Sequence, residues 1–256
     1  MIEKWDITIP ELTGDRTRSA YLYVPESYEY EPERRYPVLY MFDGHNLFFD
    51  DEATYGKCWG MKDYMDFTET QILIAAVECN HDPDNGRLSE YSPYDFHDRH
   101  LGDIVGRGRE TMEWMVGTFK PFIDENWRTL PEREFTFIAG SSMGGLMSIY
   151  ALLAYNDIFS RAAALSPSLW AARKNIESLI REAPLHPDTL LYMDYGSEEI
   201  GNHRNMLKQY ARVAMMLMER GVAVESRIVP GGTHCEASWE RQLPFFMDAL
   251  LYDPDE

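Results

Sequence analysis

The sequence predicts an α/β fold: a mostly parallel central sheet with an N-terminal antiparallel hairpin and helices on both faces. Three observations predict it. Short apolar runs alternate with longer helical patterns through most of the chain; Gly, Pro or charged residues bound those runs; and only the opening segment breaks the alternation. With 256 residues, 45% of them hydrophobic and 13% aromatic, the chain can bury a sizeable core as one domain spanning 1–256, without disulfide help.

Residues 5–9 and 19–24 read as two strands joined by the turn-rich Thr13-Gly14-Asp15, an antiparallel hairpin at a sheet edge. A charged link at 31–35 follows. The runs 38–42, 72–77, 135–138, 162–165, 190–193 and 222–228 then read as central strands. Between them, Met112, Met115, Phe119, Phe122 and Ile123 recur at helical spacing, and Pro121 is expected to kink or break that helix near Lys120. Met206, Tyr210, Val213 and Leu217 repeat the helical pattern ahead of Gly221, a natural helix C-terminal residue. Residues 80–108 are polar, charged and too long for a simple connector, which makes them a candidate for substrate contact; a plain surface excursion is the alternative.

Composition excludes several function classes. Forty-three acidic against 24 basic residues give a formal charge of −19, which opposes contact with nucleic acid or an anionic membrane. Cys58, Cys79 and Cys235 form no CxxC pair and leave an odd number, so neither a disulfide framework nor a zinc knuckle is indicated. Reduced thiols in a cytoplasm fit best. The N-terminus has no basic region followed by an apolar run, and no stretch reaches the roughly 18 apolar residues a span needs, so a soluble, unsecreted protein is expected. The oligomeric state leaves no sequence signal.

Gly140-Ser141-Ser142-Met143-Gly144 is the one G-x-S-x-G in the chain. Its context strengthens it: 135–138 reads as a strand, and Leu146, Ile149, Tyr150 and Leu153 continue at helical spacing. A serine on so sharp a turn has strained backbone angles and close neighbours, which the flanking glycines allow. At the helix N-terminus, backbone N–H groups face any anion formed beside Ser142. A serine hydroxyl needs an imidazole to accept its proton, and in the chain order Ser, acid, His the base is His234, in the glycine-rich loop Pro230-Gly231-Gly232-Thr233-His234. The alternative for His234 is a helix-capping or core histidine. Asp194, Glu198 and Glu199, after the run 190–193, are the candidate acids, and their residue types do not rank them.

These residues resemble the esterase D and enterochelin esterase-like family of α/β-hydrolases, which includes feruloyl and acetyl esterases. The resemblance runs from about Tyr36 onward. It rests on Asp43-Gly44-His45-Asn46, Trp59-Gly60-Met61, Arg87-Leu88-Ser89-Glu90-Tyr91-Ser92-Pro93, the run from Gly140 to Gly145, Ser166-Pro167-Ser168-Leu169-Trp170 and Gly231-Gly232-Thr233-His234. It implies the α/β-hydrolase fold, with the backbone N–H groups of His45 and Met143 as the oxyanion hole. Two such donors facing the developing charge are worth several kcal/mol, about 3 to 4 for one donor. By the same resemblance the acid lies in a Gly-x-x-Asp or Gly-x-x-Glu turn, which favours Glu199. The His45 imidazole, superficially a metal ligand or second base, is incidental to a backbone role. Trp170 is either a pocket residue or plain core.

The expected reaction is two-step carboxylic ester hydrolysis through Ser142, His234 and Glu199 on a small-molecule or carbohydrate-linked ester, with no cofactor and no metal. The run Asp82-Pro83-Asp84-Asn85-Gly86 departs from a calcium loop in its glycine position and lacks the closing glutamate, and His97 and His100 read as a solvated loop. Arg87, Arg99, Arg107 and Arg109 flank the long irregular stretch and would locally reverse the acidic sign, making Arg87 a candidate substrate contact. The rivals are acyl transfer or siderophore or thioester hydrolysis by the same machinery and, from another class, a non-catalytic hydrolase-like binding protein, whose usual signature is a lost catalytic residue.

Overall fold

The computed structural model describes residues 1–201 and 203–252. Eight strands form one sheet in the order β1-β2-β4-β3-β7-β8-β9-β10: Ile2–Thr8 (β1), Thr17–Tyr23 (β2), Val38–Met41 (β3), Leu73–Val77 (β4), Thr136–Ser141 (β7), Arg161–Leu165 (β8), Leu190–Gly196 (β9) and Ala223–Val229 (β10). A separate two-stranded hairpin, Phe96–Asp98 (β5) and Gly102–Ile104 (β6), rises from the long irregular stretch. β1 and β2 pair antiparallel, β2 joins β4 antiparallel, and every pair from β4 to β10 is parallel. This is the α/β-hydrolase arrangement, with the hairpin at the edge.

The inner strands β3, β4, β7, β8 and β9 are buried on both sides because helices cover both sheet faces, whereas β1 and β10 at the two edges are partly exposed. In β3, Val38 and Tyr40 enter one buried cluster while Leu39 and Met41 enter the other. The period of two thus distributes one strand between two cores. The first core takes the helix Met143–Ala154, buried at eleven of its twelve positions, and the helix His203–Glu219 through Tyr210, Val213 and Leu217. That second helix closes as expected. Gly221 has φ +83°, its N–H reaches the Met218 carbonyl, and the Val222 N–H reaches the Leu217 carbonyl, the paired bonds of a Schellman cap.

Pro121 does not break its helix. A π-helical turn, Met115–Phe119, joins Gly108–Trp114 to Lys120–Asn126, and Lys120 keeps helical angles of φ −60° and ψ −49°. The Lys120 N–H bonds back to the Met115 carbonyl, and this widened turn makes room for the proline ring while the helix continues.

The long irregular stretch is anchored to the sheet by a buried ion pair. Arg18 of β2 holds Glu90 through two hydrogen bonds of 2.8 and 2.6 Å, with both side chains under 5% exposed. Burial pushes the Glu90 pKa up despite the guanidinium. Arg18→Ala therefore leaves a buried carboxyl without its partner and is expected to cost about 3 kcal/mol at pH 8. A carboxyl whose folded pKa is raised stabilises the fold below its unfolded pKa and loses that contribution as pH rises through the folded value. The loss is accordingly expected to be smaller at pH 5, which urea denaturation at the two pH values measures.

Candidate active site

The groups predicted for chemistry gather at the carboxyl edge of the sheet, the end where open α/β folds place their ligands. β7 ends on Ser141, and Ser142 turns the chain into the helix Met143–Ala154 with φ 58° and ψ −119°, a conformation costly for a serine. The turn is held by the Ser142 N–H on the Leu165 carbonyl and by the Ser168 N–H on the Ser142 carbonyl, both 2.9 Å. Glycine on either side gives it room to close. A Cβ on Gly140 would stand 2.8 Å from the Gly144 backbone, and one on Gly144 would stand 3.0 Å from Phe42 Cβ.

The His234 Nε2 lies 2.9 Å from the Ser142 hydroxyl, and its Nδ1 lies 2.5 Å from Glu199 Oε2. His234 comes from the loop after β10 and Glu199 from the turn after β9. Glu199 is 9% exposed; burial disfavours its charge, but hydrogen bonds from His234 and Ser166 hold the carboxyl below its ordinary pKa. The other candidate acids lie elsewhere. Asp194 is buried, accepts from the Ser166 N–H and the Tyr192 hydroxyl, and has its pKa pushed up to about 7 by burial. Glu198 is exposed.

Sequence reasoning missed the support behind Glu199. The Ser166 hydroxyl donates to Glu199 Oε1 at 2.5 Å and accepts from the Trp239 indole N–H at 3.1 Å. The Gly196 N–H also points at Oε1, at 3.3 Å. Ser166 sits at φ 46°, and the Trp239 ring also packs edge-on against His234 at 5.2 Å between centroids. The run Ser166-Pro167-Ser168 was conspicuous, but no pattern in it links Ser166 to residues 33 and 73 positions away.

On the other side of Ser142, Asp43 follows β3 in a left-handed conformation, φ 58° and ψ 48°, ahead of the tight turn Gly44–Asn46. The His45 and Met143 N–H groups stand in the first turns of their helices, where amides lack intrahelical acceptors. Arg87, expected near substrate, is committed to this turn instead. It grips both Asp43 oxygens at 2.7 Å and stacks over Tyr91, whose hydroxyl accepts from the Asp43 N–H. Burial opposes ionisation of Asp43, but Arg87 keeps its carboxyl below the ordinary range.

A cleft of about 750 Å³ opens above Ser142 and His234, with Trp170, Ile200, Met206 and Arg99 among its walls. Trp170 is 40% exposed and meets Phe96 edge-on at 5.5 Å, so it is not core. The tip of the β5–β6 hairpin supplies Asp98, Arg99 and His100, which brings the long irregular stretch to the cleft. Of the four arginines around that stretch, Arg99 alone lines it; Arg107 bonds the Glu11 carbonyl and Arg109 the Pro93 carbonyl.

Residues 12–247 match the family model described as "Putative esterase". The "Uncharacterized protein YbbA" of Bacillus subtilis is 31% identical over 208 residues, 78% of each chain. The chain belongs to this esterase family, and it is an enzyme that hydrolyses esters. Among solved structures, a ferulic acid esterase superposes with a TM-score of 0.72 at 18% identity, covering 98% of this chain and 96% of that one. An IroE-like serine hydrolase from Shewanella oneidensis gives 0.74 at 18% identity, with 98% and 79% covered. No helix among the described residues is long and apolar enough to cross a membrane.

Proposed function

We propose that the protein is a serine carboxylic-ester hydrolase in which Ser142 is the nucleophile, His234 the base and Glu199 the acid. One observation carries this reading: the unbroken hydrogen-bonded chain from the Ser142 hydroxyl through both His234 nitrogens to Glu199. Ser142 Oγ attacks the ester carbonyl as His234 Nε2 takes its proton. The N–H groups of His45 and Met143 receive the oxyanion. His234 returns the proton to the departing alkoxide, and water then repeats the sequence on the acyl enzyme. Glu199 holds the Nδ1–H tautomer and balances the imidazolium.

The cleft fits an ester with an aromatic or bulky apolar group, such as a feruloyl ester. Trp170, Ile200 and Met206 offer apolar wall, whereas Arg99 is the one arginine there among the described residues and Asp98 stands beside it, a poor match to a multiply anionic siderophore. Residues 1–256 form one domain in this reading, since Ser142, His234 and Glu199 all follow strands of the one eight-stranded sheet. Three unpaired cysteines fit a reducing cytoplasm.

A kinetic comparison of feruloyl, acetyl and catecholate lactone esters tests the substrate class, with the feruloyl ester expected to give the highest kcat/KM. Trp170→Ala is expected to raise KM for the feruloyl ester about tenfold, the equivalent of about 1.4 kcal/mol of lost aromatic contact, and to leave the acetyl ester nearly unchanged. Equal losses on both esters would remove Trp170 from recognition.

A further inference from the structure

We infer that His45, Cys79 and His81 form a site for a borderline-soft divalent cation, of the Zn²⁺ type, beside the turn that carries the His45 N–H. The three side chains come from the loops after β3 and β4, and one ligand atom from each lies within 4.8 Å of the others. His45 is 4% exposed, and its Nδ1 is a buried nitrogen with no hydrogen-bond partner among the described residues. An unpaired polar atom at that depth costs free energy and calls for an occupant.

The second ring nitrogens make the case specific. His45 Nε2 is hydrogen-bonded to the Thr54 hydroxyl at 3.0 Å, and His81 Nε2 to Glu78 Oε1 at 2.8 Å. A histidine that binds metal through one nitrogen characteristically has the other fixed by a carboxylate or hydroxyl partner, which sets ring orientation and raises basicity. Both rings therefore present Nδ1, and they meet edge to face at 4.7 Å between centroids.

Cys79, 3% exposed, adds the soft ligand. Its thiol is protonated, its pKa pushed well up by burial, so the cation binds as the thiolate forms and one proton passes to solvent. Zinc bonds of about 2.0–2.1 Å to nitrogen and 2.3 Å to sulfur require the ligand atoms to close to roughly 3.5 Å. The half-exposed His81 side chain supplies that movement and leaves a fourth position open to water. The occupied site would clamp the Gly44–Asn46 turn to the loop after β4.

Cobalt(II) titration of the full chain tests this independently of ester hydrolysis. One equivalent is expected to produce tetrahedral visible bands and a near-ultraviolet thiolate-to-cobalt charge-transfer band, with Zn²⁺ displacing both. Zn²⁺ at a hundredfold excess over its Kd is expected to raise the melting temperature. Cys79→Ser and His81→Gln should each abolish the charge-transfer band and the thermal shift, while Cys58→Ser keeps them. His81 is exposed, so its replacement leaves the fold intact even if Cys79→Ser does not. No band in the parent protein, or a band that survives either substitution, would overturn the site.

Discussion

Replacing Ser142 with alanine is expected to lower kcat for a p-nitrophenyl ester by about a millionfold, with the circular dichroism spectrum unchanged. Among the described residues the side-chain oxygen hydrogen-bonds only to the His234 Nε2 at 2.9 Å and the Ser168 hydroxyl at 3.2 Å, so its removal costs the fold little. The turn survives because the backbone bonds from Ser142 to Leu165 and from Ser168 to Ser142 do not involve that oxygen. Ser168 is no substitute, since its hydroxyl is hydrogen-bonded to Ser142 and not to His234. Steady-state kinetics with active-site titration measure the loss, and the residual rate is expected to be that of the oxyanion donors and binding alone.

Glu199→Gln is expected to lower kcat about ten-thousandfold with little change in KM. The surroundings dictate how the amide sits. The Ser166 hydroxyl, itself engaged by the Trp239 indole, and the Gly196 N–H both donate to Oε1, so the amide oxygen takes that position. Its NH₂ then faces His234 Nδ1, where Glu199 Oε2 accepted. Nδ1 becomes an acceptor, the proton moves to Nε2, and the imidazole no longer takes the Ser142 proton. Glu198→Gln and Asp194→Asn are expected to keep far more activity, because neither carboxylate touches His234. A large loss in either, with Glu199→Gln near the parent rate, would transfer the acid's role.

The eight strands of the main sheet were legible in the sequence to within a few residues because most are short apolar runs between breakers, whereas the short, polar β5 and β6 lay unread inside the stretch 80–108. Gly221 announced its cap for an equally local reason: few other residues adopt its positive φ cheaply. Pro121 misled because a π-helical turn is not a property of residue types and shows only in the hydrogen-bond ladder.

Among site residues, Ser142 and His234 carried local motifs, whereas residue type left three neighbouring carboxylates unranked and only the family resemblance favoured Glu199, which the turn after β9 brings to His234. Arg87 looked free on the page of the sequence; Asp43, 44 positions earlier, engages it. The Ser166–Trp239 contact and the approach of His45 to Cys79 and His81 each join segments far apart in the chain, which no spacing encodes.

The nucleophile is tested most directly by intact mass spectrometry after fluorophosphonate treatment. One phosphonyl group per chain is expected, located by peptide sequencing on Ser142, with activity falling in proportion to labelling and no adduct on Ser142→Ala. An adduct on Ser168 or Cys235 instead, or full turnover by Ser142→Ala at an unchanged dichroism spectrum, would contradict Ser142 as the nucleophile.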